Sequence, residues 1–366
     1  VYASQQSGDR AERFDATHRT LAEEFLSRGY ATGGFVANQI YTGYETGLAR
    51  GFVTYHDTQR SLAELLLNTT FTQSASLQKA MLRWQQDRWL TGTARALASF
   101  DLRPGGTWVL HQHKNAAAVI EPFLRWQSSL GDRPFFAFLN FFDAHDPHRT
   151  PPPYRTMFNG GRMRRDTYDG ALRYLDDQIG DLLAELERRG VLRHTIVVIT
   201  SDHGEHFGEH GVYFHGNSLY RELLRVPLLL LAGDTTRAGE RIAAQVSLRD
   251  LPATILDLAH VAEDVALPGY SLAHGAPAPT LKSPVVAEVS RSIRGDPRHP
   301  TAKGDMVAVV NDSLHLIREG DGTLLAYAYR TDSTEEHNLA VGPALPALVA
   351  LFSELYAAAL RRDDKR

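Results

Sequence analysis

Residues 195–216 read "TIVVITSDHGEHFGEHGVYFHG". A run of β-formers stops at Asp202, and the next fourteen residues hold four histidines (His203, His206, His210, His215), two glutamates and four glycines. The strand is preceded by the clearest helix in the chain. Over 166–190, Ala171, Leu172, Leu175, Ile179, Leu182, Leu183 and Leu186 recur at helical spacing, and Gly190 ends the run. It is followed by "RVPLLLLAG" at 225–233, which reads as another strand. Helix and strand alternate, the mark of an α/β sheet.

Working outward, "TLAEEFLSRG" carries a capping box, Thr20 with Glu23, and Gly29 at its C-terminal end. "TGGFVAN" at 32–38 reads as the next strand. Residues 60–130 are mostly helical in character, with Trp84, Trp89 and Trp126 as packing anchors. "RPFFAFLNFF" at 133–142 is a continuous apolar run, the pattern of a strand buried on both faces, and a proline-rich loop, "DAHDPHRTPPPY", follows it. Asp250 and Pro252 start an amphipathic helix through Leu258. From about 282 the texture changes to short strands with turn residues between them, a small antiparallel sheet, and a last helix closes the chain. The domains expected are therefore a main α/β domain over 1–281 and a small C-terminal sheet with its helix over 282–366.

The chain has 366 residues, 43% of them hydrophobic, enough for a large core. A formal charge of −4 gives no general affinity for nucleic acid. With no cysteine, disulfides, thiolate metal sites and cysteine nucleophiles are excluded within these residues. The longest apolar run, "VPLLLLA" at 226–232, is strand length, well short of the ~20 residues of a membrane span. The first residues are polar, without a starting methionine or a signal-peptide centre, so the sequence reads as a piece of something longer.

In open α/β sheets ligands bind beyond the carboxyl ends of strands. Two strands end in polar sets: Asp143, His145, Asp146 and His148 after one, Asp202 and His203 after the other. If both strands are parallel members of one sheet, the two sets share an edge. A lone Asp-His reads first as a helix N-cap beside a surface histidine; the second polar strand end and His215 turn the reading towards a site. His145 reads equally as a loop histidine bonded to backbone carbonyls. Asp143, Asp146 and His148 read as loop-shaping groups, and Asp176 and Asp177 as the solvated face of their helix. "HFGEH", His206 to His210, matches the H-x-x-E-H zinc pattern. That pattern works only on a helix, and Gly204, Gly208 and Gly211 argue against one. Gly204 reads instead as the residue that lets the chain turn sharply after the strand.

"TIVVITSDHGEHFGEHG…FHGNSLYRELLRVPLLL" resembles the C-terminal metal motif of the sulfatase family, within the alkaline phosphatase superfamily. In the same order, "FFAFLNFFDAHDPH" resembles the family's D-P-H-x-P-Y loop and "YDGALRYLDDQIGDLLAELERRG" its long helix. "LLAYAYRTDSTEEHNLA" resembles its closing segment, and the likeness runs from about residue 16 to 360. The resemblance implies an alkaline phosphatase-like α/β fold, a mixed, mostly parallel sheet sandwiched by helices with a small C-terminal antiparallel subdomain. It implies a hydrolase of sulfate or phosphate esters, small-molecule or glycan, using one divalent metal ion (Ca, Mn or Zn). Asp202 and His203 resemble metal ligands. His145 resembles the histidine that contacts the sulfate or phosphate group, and His215 stands where many members have an anion-holding lysine.

Three departures matter. The family's first strand, with its paired aspartates, and its Cys/Ser-x-Pro-x-Arg nucleophile segment have no counterpart here, so the chain is expected to be a C-terminal portion, inactive alone. Ala37 and Gln39 stand in place of an anion-binding Lys and His, which opens a phosphodiesterase or phosphotransferase reading beside the sulfatase one. His203 replaces an asparagine, which admits manganese or zinc beside calcium. A non-catalytic protein on the same scaffold is the reading from another class. The resemblance favours a periplasmic or other extracytoplasmic setting; no residue pattern speaks to membrane contact or oligomeric state.

Overall fold

The computed structural model describes residues 19–57, 100–101, 109–110, 114–148, 150–232, 239–261, 269–273, 284–292 and 296–363. Trp84, Trp89 and most of the stretch expected to be helical from residue 60 lie outside these residues. The described residues fall into two compact units, one within Ala16–Gly180 and one within Asp181–Arg366. The change of texture near 282 marks where the small sheet begins inside the second.

In the first unit, the helix Leu21–Ser27 starts with the expected capping box. The Thr20 hydroxyl accepts from the Glu23 amide at 3.1 Å, and the Glu23 carboxylate accepts from the Thr20 amide at 2.8 Å. The chain then enters β1 (Ala31–Val36), which lies between β2 (Thr54–His56) and a later strand, β5 (Phe135–Asn140), parallel to both. Two-residue strands β3 (Phe100–Asp101) and β4 (Val109–Leu110) form a separate antiparallel pair. All six residues of β1 are buried. Its two central glycines make room for rings from its neighbours. A Cβ on Gly34 would stand 2.4 Å from the Tyr55 ring, and one on Gly33 would stand 3.0 Å from Trp126. Trp126, on the helix Ala116–Ser129, packs on Phe35 and Phe135 at centroid distances of 5.5 and 5.9 Å, the anchoring role read from the sequence.

The expectation for "RPFFAFLNFF" is corrected. β5 is half-buried, and Phe138 is 42% exposed. Among the described residues β5 has a strand partner on one side only, whereas β1 lies between two strands and is buried along its whole length. The strand read from "TIVVITS", β6 (Val197–Thr200), is likewise half-buried rather than deeply buried. Among the described residues β5 pairs with β1, while β6 pairs antiparallel with β9 (Leu228–Leu231).

The long helix Arg164–Arg188 ends as read, with Gly190 in the left-handed region at φ 71°. On its surface Asp177 does more than meet solvent, accepting from the Tyr154 hydroxyl at 2.9 Å. Beyond β6, the hairpin strands β7 (His206–Phe207) and β8 (Tyr213–Phe214) pair antiparallel. The helix Leu251–Leu258 follows where Asp250 and Pro252 announce it.

The small sheet is a meander in the order β10 (Val285–Val289), β11 (Met306–Val310), β12 (Leu314–Arg318), β13 (Leu324–Ala328), each neighbour antiparallel. Side chains alternate between its faces. Val307, Val309, Leu316 and Ala326 pack with Phe352 and Leu355 of the helix Leu345–Asp363. Met306, Ala308, Ile317 and Tyr327 pack with Leu219 and Tyr220 on the other side. With both faces covered, β11 is buried along its whole length, which is why its sequence is unbroken "MVAVV". The stretch Gly342–Leu360 is long and apolar enough to cross a membrane by length and composition. In this fold its Phe352, Leu355 and Ala359 are buried, the first two against the sheet.

Candidate active site

The turn after β6 is built by short-range hydrogen bonds. The Thr200 hydroxyl donates to the Pro227 carbonyl at 2.8 Å, and the Ser201 hydroxyl donates to the His203 carbonyl at 2.7 Å. Asp202 accepts from the His203 amide through Oδ1 at 3.1 Å, and its side chain is 85% exposed. Gly204 is required for a different reason from the one read in the sequence. It is not in the left-handed region. Its α-carbon lies so close to the neighbouring chain that a Cβ would stand 1.9 Å from the Glu222 carbonyl oxygen, and its amide donates to the Leu223 carbonyl at 2.9 Å.

His203 and His215 stack, with ring centroids 4.3 Å apart and planes at 25°. Each ring has its Nδ1 committed. His203 Nδ1 lies 2.8 Å from the Gly204 carbonyl, which only accepts, so that nitrogen carries the proton and Nε2 is the acceptor nitrogen. His215 Nδ1 donates to the Glu205 carboxylate at 2.9 Å, and Glu205 is nearly buried, its side chain 5% exposed. The His203 Nε2 atom is 3.7 Å from Asp202 Oδ2. Asp202, His203 and His215 are thus brought together, and Glu205 joins them.

Glu205 is the functional candidate that the sequence reading passed over. The signal for it is the hairpin register. His206 faces Phe214 and Phe207 faces Tyr213, so the next pair outward is Glu205 with His215. Ten residues of separation has no meaning in a helical or strand period; it acquires one only when the turn is known.

The H-x-x-E-H string is not helical, as its glycines indicated. His206 lies in β7, Gly208 takes φ 119°, and His210 takes φ 55°. Both histidines turn inward. His206 is fully buried, its Nε2 is 2.8 Å from the Ser218 hydroxyl, and burial holds its pKa below the usual imidazole value.

His145 belongs to the first unit. Its Nδ1 donates to the Asp146 carbonyl at 2.8 Å and its ring stacks on Phe142 at 4.2 Å. That geometry is the backbone-bonded loop histidine, and it leaves Nε2 as the acceptor nitrogen. The neighbours shape the loop: Asp146 pairs with Arg164 at 3.0 Å, and His148 Nδ1 lies 3.2 Å from the Thr167 hydroxyl. Asp143 is buried. One of its oxygens accepts from the Ala116 amide at 3.3 Å, and the other has no partner.

Burial pushes Asp143 up from 3.8 to about 6. A carboxyl raised in the folded state binds more protons there than in the unfolded chain between those two values. The Asp143 contribution to stability is therefore fully present below about 4 and is lost as pH rises to about 6. At about 1.4 kcal/mol per unit the drop amounts to about 3 kcal/mol. Asp143→Asn, which cannot ionise, should flatten the denaturation midpoint of the first unit across that window. A slope unchanged from the parent would refute the assignment.

A family profile with the description Sulfatase matches residues 3–261. Arylsulfatase K of Mus musculus is 39% identical over 97 residues, which are 26% of this chain and 17% of that protein. Arylsulfatase K of Danio rerio is 32% identical over 155 residues, 42% of this chain and 27% of that one. The matched stretch thus covers about a quarter or less of each of these relatives. Among solved structures, the phosphonate monoester hydrolase of Agrobacterium radiobacter superposes with a TM-score of 0.70 at 17% identity, covering 99% of this chain and 84% of its own. A structure described as in complex with its substrate D-glucosamine-2-N,6-O-disulfate gives 0.69 at 15% identity, covering 99% and 86%. At those identities the structural likeness establishes the fold.

Proposed function

Because this chain belongs to the sulfatase family, we propose that Asp202, His203 and His215 serve a metal-dependent hydrolase of sulfate or phosphate esters. The observation that carries the reading is the His203 tautomer. Its Nδ1–H is spent on the Gly204 carbonyl, so Nε2 presents a lone pair 3.7 Å from a carboxylate oxygen. That arrangement fits a divalent ion. Two ligands at roughly 2.1 Å from a tetrahedral ion stand roughly 3.4 Å apart, and small side-chain movement closes the difference. When bound, such an ion polarises the tetrahedral ester and offsets the charge that builds on its oxygens. An imidazole–carboxylate pair suits manganese or zinc as well as calcium.

The chain's own residues do the rest. Asp202 and His203 hold the ion at the end of β6. His215, stacked on His203 and braced by Glu205, holds the ester's anionic oxygens or donates a proton to the leaving oxygen through Nε2. The ester is that of a small molecule or glycan. Ala37 and Gln39, which stand where the family resemblance puts an anion-binding Lys and His, support a phosphodiesterase or phosphotransferase as the second reading.

The test takes the full reading frame that encodes the chain, strips it with chelator and restores calcium, manganese or zinc in turn. Aryl sulfate, phosphate monoester and phosphate diester are compared in parallel. Hydrolysis should return with metal. Undiminished hydrolysis after stripping, or no turnover of any ester with any of the ions, would sink the proposal. In the same assay Glu205→Gln should lower kcat by about 10-fold to 100-fold, because the carboxylate that orients the His215 ring is lost. An unchanged kcat would show that the Glu205 contact is structural only.

A further inference from the structure

The unit 181–366 holds a second set of metal-type ligands that the proposed centre does not use. His210, Glu222 and Glu335 place one imidazole nitrogen and two carboxylate oxygens within 4.8 Å of one another. They come from three separate segments: the turn Glu209–Gly211, the short helix Arg221–Leu224 and the loop after β13. His210 Nε2 and Glu222 Oε2 are 3.5 Å apart; both atoms are buried and neither has a hydrogen-bond partner. A charge-assisted hydrogen bond would close to about 2.7–2.9 Å. Two ligands of one tetrahedral ion, with bonds of about 2.1 Å, stand about 3.4 Å apart.

The three side chains are held in place by their surroundings, as ligands usually are. The His210 ring lies flat on Tyr220, with centroids 3.8 Å apart and planes at 8°. Glu335 accepts from the Arg221 amide at 2.9 Å through one oxygen and from His315 Nδ1 at 2.5 Å through the other. His210 and Glu335 both sit in the left-handed region, at φ 55° and 53°. Non-glycine residues rarely adopt that conformation, and it persists where the surroundings over-determine it. Glu222 and Glu335 bring two carboxylates to the His210 ring in a largely buried space, where His315 also pairs with Glu335.

We infer that His210, Glu222 and Glu335 form a structural site for a divalent transition-metal ion, separate from Asp202 and His203. Imidazole and carboxylate together suit zinc, with manganese next. Bound there, the ion ties the turn at His210 and the helix at Glu222 to the segment that follows the small sheet. This inference does not depend on the ester-hydrolase reading. A proton is the ion's rival: Glu222, facing the ring across the gap, raises the pKa of His210, and a protonated imidazole would make a simple ion pair.

The experiment uses the full chain with Asp202→Ala and His203→Ala, so that the other site is silent. The protein is stripped with chelator and titrated calorimetrically with zinc chloride. One strong equivalent should bind and raise the denaturation midpoint. Adding Glu222→Gln should weaken zinc binding by about 10-fold to 100-fold or more and abolish the midpoint rise. Coincident titrations with and without Glu222→Gln would overturn the site. So would His210→Arg, a fixed cation with no ligand atom, if it matched the stability of the zinc-loaded chain; the cluster would then be an ion pair only. If Glu222→Gln does not fold, cobalt(II) in place of zinc decides on the unaltered cluster. Visible absorption of a four-coordinate imidazole–carboxylate site supports the inference, and a spectrum of hydrated cobalt refutes it.

Discussion

His203→Ala should lower ester hydrolysis by about 10³-fold and leave the fold intact. The His203 ring lies on an exposed turn, and its contacts there are the Gly204 carbonyl and the His215 ring. Removing it leaves the carbonyl to water, so the stability change should stay within about 0.5 kcal/mol. Its proposed role is of another size. A ligand to an ion that polarises the ester contributes through several kcal/mol of charge stabilisation, and each 1.36 kcal/mol is about tenfold in rate. Kinetics on the metal-restored full reading frame, with metal content measured alongside, check this. Loss of activity together with loss of metal supports the role. Hydrolysis within about threefold of the parent at unchanged metal content would remove His203 from the centre.

Phe352→Ala should destabilise the unit 181–366 by about 3–5 kcal/mol, the usual range for emptying a buried aromatic site. Phe352 is the point where the last helix meets the sheet. It is buried among Val307, Val309, Leu316 and Ala326, its ring stacks with Tyr356 at 6.0 Å, and the Arg318 guanidinium lies 5.0 Å above it. Truncation removes the apolar area and leaves a cavity between two rigid surfaces that cannot collapse onto each other. Chemical denaturation should show the loss as a lower midpoint at unchanged slope. A loss below about 1 kcal/mol would mean that the helix does not hold the sheet in the manner described.

Both predictions draw on features of unequal legibility. The C-terminal meander was readable because its signals are local: short apolar runs, turn residues between them, and a helical period at the end. The helix Arg164–Arg188 and the capping box at Thr20 were readable on the same ground. Burial was read less well. "RPFFAFLNFF" is rich in aromatic residues, yet Phe138 is 42% exposed, while "ATGGFV" with its two glycines forms a wholly buried strand. Burial depends on what neighbours supply, and β1 is covered by Tyr55, Phe52 and Trp126 in the space that its glycines leave open.

The same division runs through the site. Asp202, His203 and Gly204 adjoin in sequence, so their residue types and order announced a turn of ligand-type side chains after a strand. His215 could be named because the family resemblance supplied its place. Glu205 could not, since its value lies in a cross-strand pairing that exists only once the hairpin register is set. The constraint on Gly204 is a carbonyl from residue 222, eighteen positions away, rather than its own dihedral angles.

The sequence by itself determined the α/β alternation, the small closing sheet, the ligand types after β6 and the non-helical character of the H-x-x-E-H string. Each rests on periodicity, turn chemistry or adjacency, which act within a few residues. Tertiary structure decided which strands are buried, which carboxylate braces His215, and that His210 meets Glu222 and Glu335. Those outcomes are set by through-space packing between segments up to 125 positions apart, from His210 to Glu335, and no local pattern encodes such a meeting.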